Sequence, residues 1–293
     1  MNHLARRVIL APILVALGCL LTVGAALAEP PPSAQASRFA TEGRADLTRL
    51  RLANGHGAKA TISVLCRVAS QPTPQQASPG LFPPSGPPSS PVDPLILKVI
   101  EIPTAQRGTL RLRFETDDRQ IRESVSLAAA FLTRVVASAA LPTSEIRVLA
   151  LNRGENRAFS AGLGSFASVH LQPGVLDVGT AVHELAHHIE GDHRPILENS
   201  RRFLARRARG SSPERLRDLT GQDYGVNEIA YRANWTTRGG SHYSGKFYGP
   251  SLKYAIATEL ISMGLERLHR ESTAFFREDS DYFLFLLLTL QAG

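Results

Sequence analysis

Thr180-Ala181-Val182-His183-Glu184-Leu185-Ala186-His187-His188-Ile189-Glu190 decides how this chain is read. Around it, Val175, Leu176, Val178, Val182, Leu185, Ala186 and Ile189 recur at helical spacing. A helix is therefore expected over residues 175–190, with Gly191 just past its end. Residues four apart on a helix share a face, so His183 and His187 can present two imidazoles to one divalent ion. Zn2+ suits such a pair, because it lowers the pKa of a water to about 7 and polarises a carbonyl. Glu184 stands beside the first histidine. It is placed to take a proton from a zinc-activated water and to return it to a leaving amine. A helix face that buried these groups without a partner would be penalised, and an ion supplies the partner.

A catalytic zinc takes three protein ligands, so a third must come from elsewhere. Two residues compete. Glu259 is a carboxylate in the mostly apolar stretch Tyr254-Ala-Ile-Ala-Thr-Glu259-Leu-Ile-Ser-Met-Gly-Leu-Glu266, read as part of a helix over 251–269. His193 lies ten residues after His183, which is the metzincin spacing. Metzincins carry glycine at the seventh position after the first histidine, where this chain has Glu190, and Gly191 sits one place late. Ser262-Met263-Gly264 only faintly mimics their methionine turn, because Met263 falls within the expected helix. Glu259 is preferred and His193 is the alternative.

The combination resembles the zincin superfamily of HExxH metallopeptidases. It is closest in pattern to gluzincins, including the lethal-factor-like toxin peptidases, which draw the third ligand from a second helix. Further segments are similar to zincin-like domains of bacterial and phage proteins: Asn227-Glu228-Ile-Ala-Tyr231-Arg, Tyr243-Ser-Gly-Lys-Phe-Tyr248-Gly, and Thr258-Glu259 through Glu266. The resemblance spans residues 145–270. It implies peptidase activity, a Tyr near the third ligand that stabilises an oxyanion (Tyr248 first, Tyr243 second), and a substrate-pairing edge strand just before the active helix, here 165–171. Packing is the plain alternative for both tyrosines. Glu190 shares the helical face of the two histidines and is read as a group that orients a ligand. His188 points elsewhere.

The rest of the chain frames this segment. It has 293 residues, with 43% apolar and 6% aromatic residues, enough for one domain with extensions. Arg6 and Arg7, the uncharged run 8–28 and the terminal Ala26-Leu27-Ala28 read as a secretory signal peptide, residues 1–28. An uncleaved membrane anchor is the less favoured reading. Cleavage would lower the formal net charge from +7 to +5 and leave Cys66 as the one cysteine, so no internal disulfide is expected. Residues 29–69 form an extension with a strand at 60–68. Residues 70–94, dominated by Pro, Ser, Gln and Gly, form a semi-extended linker. The domain is expected over 95–293.

Within the domain, strands are expected at 95–102, 110–114, 145–151 and 165–171, with a loop from 157. Helices are expected at 119–139, 175–190, 195–209, 214–219, 251–269 and 280–290. The fold class is α+β and zincin-like. A small N-terminal twisted sheet places its edge strand beside the active helix, and a mainly helical C-terminal part follows. Arg201, Arg202, Arg206, Arg207 and Arg209 read as a solvated helix face, with contact to an acidic surface as the alternative. Nothing matches a nucleic-acid-binding motif. The reading is an exported zinc metallopeptidase acting on peptide or protein substrates. The alternatives are a zincin-fold binding module that does no chemistry and an amidase cutting cell-wall peptides. Ligation of zinc by Cys66 in a latent form is a minor variant.

Overall fold

The computed structural model describes residues 100–102, 104, 107–152, 157–174 and 176–291. From residue 101 onward these belong to one compact unit. The signal-peptide segment, the extension with its strand at 60–68, Cys66 and the linker at 70–94 lie outside the described residues. Of the strand expected at 95–102, residues 100–102 are described, and none of them is in a strand.

The architecture is α+β, with a C-terminal part that is mainly helical. Strand β1 (Leu112–Phe114) is followed by helix α1 (Arg119–Val135) and β2 (Ile146–Ala150). Asp118 starts α1 by accepting from the Ile121 N–H at 2.9 Å, and Ile121, Val125, Ala128, Leu132 and Val135 form its buried stripe. The helix stops four residues before the expected 139. Val136 is extended, and the Ala137 N–H is captured by the Leu290 carbonyl at 2.9 Å, a partner more than 150 residues away.

Two short strands follow, β3 (Phe159–Ala161) and β4 (Ser168–Leu171), giving one sheet in the order β1-β2-β4-β3. The first three strands in that order run parallel, and β3 is antiparallel to β4. This corrects the expected edge strand. The predicted 165–171 segment contributes β4, an interior strand whose Val169 and Leu171 are buried. The edge is β3, read from sequence as loop.

Helix α2 (Val178–Asp192) carries the central motif. Asp177 caps it, accepting from the Thr180 N–H at 3.0 Å. It runs two residues past the expected end, with Gly191 inside it. Leu163 packs there: a Cβ on Gly191 would lie 2.4 Å from a Leu163 methyl, so the glycine serves a close approach and not a left-handed cap. Next come α3 (Arg194–Arg207), the ribbon of β5 (Pro213–Arg215) with β6 (Ile229–Tyr231), and the short α4 (Leu216–Thr220) between those strands.

The helix expected over 251–269 begins only at residue 260. Residues 257–258 instead form β8 (Ala257–Thr258), antiparallel to β7 (Phe247–Tyr248). Then α5 (Leu260–Glu278) continues through a kink at Glu271, and α6 (Ser280–Leu290) closes the chain. Helix α6 is apolar on every side and accordingly buried, with Phe283, Leu286 and Leu290 fully covered. Helix α2 packs against α1 and α5 and touches β3 and β4, so the motif sits where sheet and helices meet.

The arginine cluster is solvated only in part: Arg202 and Arg209 are exposed, and the other three turn to partners in the fold. Arg207 forms a buried bidentate pair with Asp279, Arg206 pairs with Asp281, and Arg201 donates to the Ala255 carbonyl. Among the described residues, no helix is long and apolar enough to cross a membrane.

Candidate metal centre

Helix geometry brings His183 and His187 together, and the fold adds Glu259. Glu259 does not lie on a helix face as expected. It is the residue between β8 and α5, at the N-cap position, and it is fully buried. Its Oε2 lies 3.3 Å from Nε2 of His183 and 3.2 Å from Nε2 of His187. Ligand atoms bonded tetrahedrally at zinc distances stand ~3.3 Å apart. Two imidazole nitrogens and one carboxylate oxygen at that separation match the zinc donor set, and the residues present fit the ion. Among the described residues, this is the group of metal-ligating side chains whose ligand atoms converge.

His193 is not part of it. It ends α2 and begins α3, and its Nε2 faces the Leu141 carbonyl at 3.2 Å. Met263 lies inside α5 and packs on a cluster of Leu216, Ala230 and Tyr243, so there is no methionine turn. Neither feature of the metzincin pattern is present in these residues.

The ligands are held from behind. His183 Nδ1 meets Oε2 of Glu266 at 3.0 Å, which aims Nε2 at Glu259. Arg270 donates to Oε1 of Glu266 at 2.9 Å and to Asp177 at 2.7 Å. A ladder of alternating charge therefore runs from the cap of α2 to the first histidine. Gly179 makes room for it, since a Cβ there would lie 2.5 Å from Cζ of Arg270. Glu266 follows Glu259 by seven residues, two helical turns, and that spacing was the available signal. Arg270 and Asp177 carried none.

Glu259 is gripped on both oxygens. Oε2 accepts from Ser262 Oγ at 2.8 Å, and Oε1 accepts from the Tyr248 hydroxyl at 2.5 Å. The hydroxyl expected to face an oxyanion thus orients the candidate third ligand. Lys246, almost wholly buried, lies 3.8 Å from Oε1, donates to Glu228 at 2.6 Å and to the Tyr243 hydroxyl at 3.2 Å. Arg157 stacks over Tyr224 and Tyr243 and donates to the Tyr243 hydroxyl. Sequence reading missed Lys246 and Arg157, because their partners are distant along the chain.

Protonation follows from these contacts. Burial alone would raise the Glu259 carboxyl, but His187 and His183 outweigh it and hold the group well below the usual carboxylate range. Burial opposes charge on His183 as well. Hydrogen bonds to Glu259 and Glu266 win, raising its pKa to about 10. Burial and then the Glu259 charge push both Tyr243 and Tyr248 up, so both remain neutral hydroxyls. His188 is lowered by burial, and its Nε2 meets the Ser168 carbonyl at 3.2 Å, away from Glu259.

Two cavities meet at this centre. The larger, about 670 Å³, is walled by β3, Leu163, Tyr248 and Ile256 above His183, Glu184 and His187. The second, about 460 Å³, lies toward Thr180, Tyr224 and Glu266, and the two share Arg157, Ala158, His183, Glu184 and Tyr243. Glu184 Oε2 accepts from Ser160 Oγ on β3 at 2.7 Å, tying the carboxylate to the edge strand. Comparison of the chain with family models, with curated proteins and with solved structures gave no match, so the reading of the site rests on its own geometry.

Proposed function

We propose that this chain is a zinc-dependent peptidase with His183, His187 and Glu259 as ligands. The observation that carries the proposal is the convergence of both Nε2 atoms on one buried carboxylate oxygen at 3.3 and 3.2 Å, on the floor of a cleft. The ion, when bound, would polarise the scissile carbonyl and lower the pKa of the attacking water. The chain's own residues do the rest. The outer edge of β3 offers backbone groups with which an extended peptide can pair, as in strand addition. Ser160 holds one oxygen of Glu184 and leaves Oε1 to take the proton from water and deliver it to the leaving nitrogen. Tyr248 and Ser262 keep Glu259 turned toward the histidines, and Glu266 does the same for His183.

Export belongs to the same proposal. It rests on the apolar run 8–28 and the Ala26-Leu27-Ala28 site, and the N-terminal residue of protein recovered outside the cytoplasm tests it.

The deciding experiment measures zinc content and cleavage of a mixed peptide library for the wild type and for Glu184→Gln. Stoichiometric zinc in both, with cleavage lost in the variant, is expected. Stoichiometric zinc with no cleavage by either protein would instead make the fold a metal-holding binding module. Cleavage confined to cell-wall peptides would favour the amidase.

A further inference from the structure

Glu190 does not contact an imidazole. It sits on the face of α2 that carries His183 and His187, one turn beyond the second, and is almost fully buried. Both of its oxygens accept from Thr258, and the fully buried Ser200 hydroxyl also bears on the carboxylate. Oε2 accepts from the Thr258 N–H and Oε1 from Thr258 Oγ1, each at 2.6 Å. Thr258 is the last residue of β8 and immediately precedes Glu259.

Three successive backbone groups are held here, the first and third of them through Glu190. The Thr258 N–H is held by Glu190. The Glu259 N–H donates to the Lys246 carbonyl at 3.1 Å. The Leu260 N–H donates to Thr258 Oγ1 at 3.2 Å, and that hydroxyl has already given its proton to Glu190. The Glu190 carboxylate therefore sets the direction of the hydroxyl that starts α5, with Glu259 pinned between. Glu259 is the hinge between strand and helix: its N–H extends the β7–β8 pairing, its carbonyl accepts from the Met263 N–H at 3.0 Å, and Glu190 fixes the residue just before it. An error of 1 Å there would take Oε2 out of reach of both Nε2 atoms.

We infer that Glu190 is a positioning residue for the third ligand: one helix supplies two ligands directly and locates the other through Glu190 and Thr258. This rests on the zinc reading above. It also accounts for the departure from the metzincin pattern, since the position that carries glycine there carries here the post that fixes a remote carboxylate.

The test uses the full chain and four variants: Glu190→Ala, Glu190→Gln, Thr258→Val, and Leu132→Ala as a destabilised control in the α1 core. Zinc affinity is read by competition with a chromophoric chelator, ligand geometry by the visible spectrum of the cobalt-loaded protein, and stability by melting of the metal-free protein. Glu190→Ala is expected to weaken zinc binding ~10–100-fold and to shift the cobalt bands. Thr258→Val keeps the backbone N–H and should lose less, about 3–10-fold. Glu190→Gln still accepts from the N–H and can donate to the hydroxyl, so it should stay within about threefold of wild type. Leu132→Ala should melt lower with its affinity intact. Should Glu190→Ala fail to fold, Thr258→Val decides. Wild-type affinity and spectrum in Glu190→Ala or, failing that, in Thr258→Val would overturn the inference. So would a Leu132→Ala loss equal to that of Glu190→Ala, or a Glu190→Gln as weak as the alanine variant. A wild type that takes up no zinc removes the metal reading itself, and the inference with it.

Discussion

Replacing Glu259 by Gln changes one atom and removes the charge at the centre of the site. The structure says why this should be severe. The side chain is wholly buried, with Ser262 and two imidazoles on Oε2 and with Tyr248 and the Lys246 ammonium on the side of Oε1. A glutamine amide has two orientations here. With its oxygen toward the histidines, its NH2 faces the Lys246 ammonium, donor against donor. With its oxygen toward Lys246, its NH2 faces the ion's position and cannot bind it. Zinc sites with a full ligand set bind with ~10–16 kcal/mol, so one donor of three carries about 3–5 kcal/mol. The expected loss is roughly two to four decades of affinity. Chelator competition at constant pH measures it, with His193→Ala in parallel, because His193 binds Leu141 and should leave affinity unchanged. Glu259→Gln with wild-type affinity, or His193→Ala without zinc, would refute the assignment of the third ligand.

Three further outcomes are expected. Glu266→Ala removes the acceptor on His183 Nδ1 and should weaken zinc binding ~10–100-fold, and Glu266→Gln, which keeps an acceptor oxygen, should lose less. The metal-free protein should lose stability as pH rises from 6.5 to about 10. His183 has its pKa raised in the fold, so its contribution is complete below the unfolded value and fades through the folded one, at most about 1.4 kcal/mol per pH unit. Chelated and zinc-loaded samples melted across that range check it, because loading requires a neutral imidazole and should flatten the slope. Arg207→Ala leaves Asp279, which is 1% exposed, with only the longer Arg238 contact at 3.5 Å and the Tyr282 N–H, and should cost up to about 3–5 kcal/mol in denaturant melts with zinc affinity unchanged.

What the sequence determined is what one helical turn can determine. His183, Glu184 and His187 lie within five residues, and the pitch of a helix places them whatever the rest of the chain does. The apolar period of α1 and the unbroken apolar run of α6 are also local features and were legible, with α6 found to the residue. Glu259 could be nominated from its chemistry, as a carboxylate among apolar neighbours, but its rival His193 could be dismissed only once the fold turned that ring toward Leu141.

Everything that depends on pairing across the chain was decided by tertiary structure. Strand β3 has three residues and no pattern of its own, and it exists because β4 offers it a partner. Residues 251–259 were read as helix and became a turn and a strand, because β7 and Glu190 claim their backbone groups. The arginines of α3 spell a solvated stripe, and acids more than 70 residues away turn two of them inward. Local periodicity reports the helix a segment forms by itself. Which charge meets which, and which strand takes the edge, depend on contacts whose partners are far apart in sequence and close only in the folded chain.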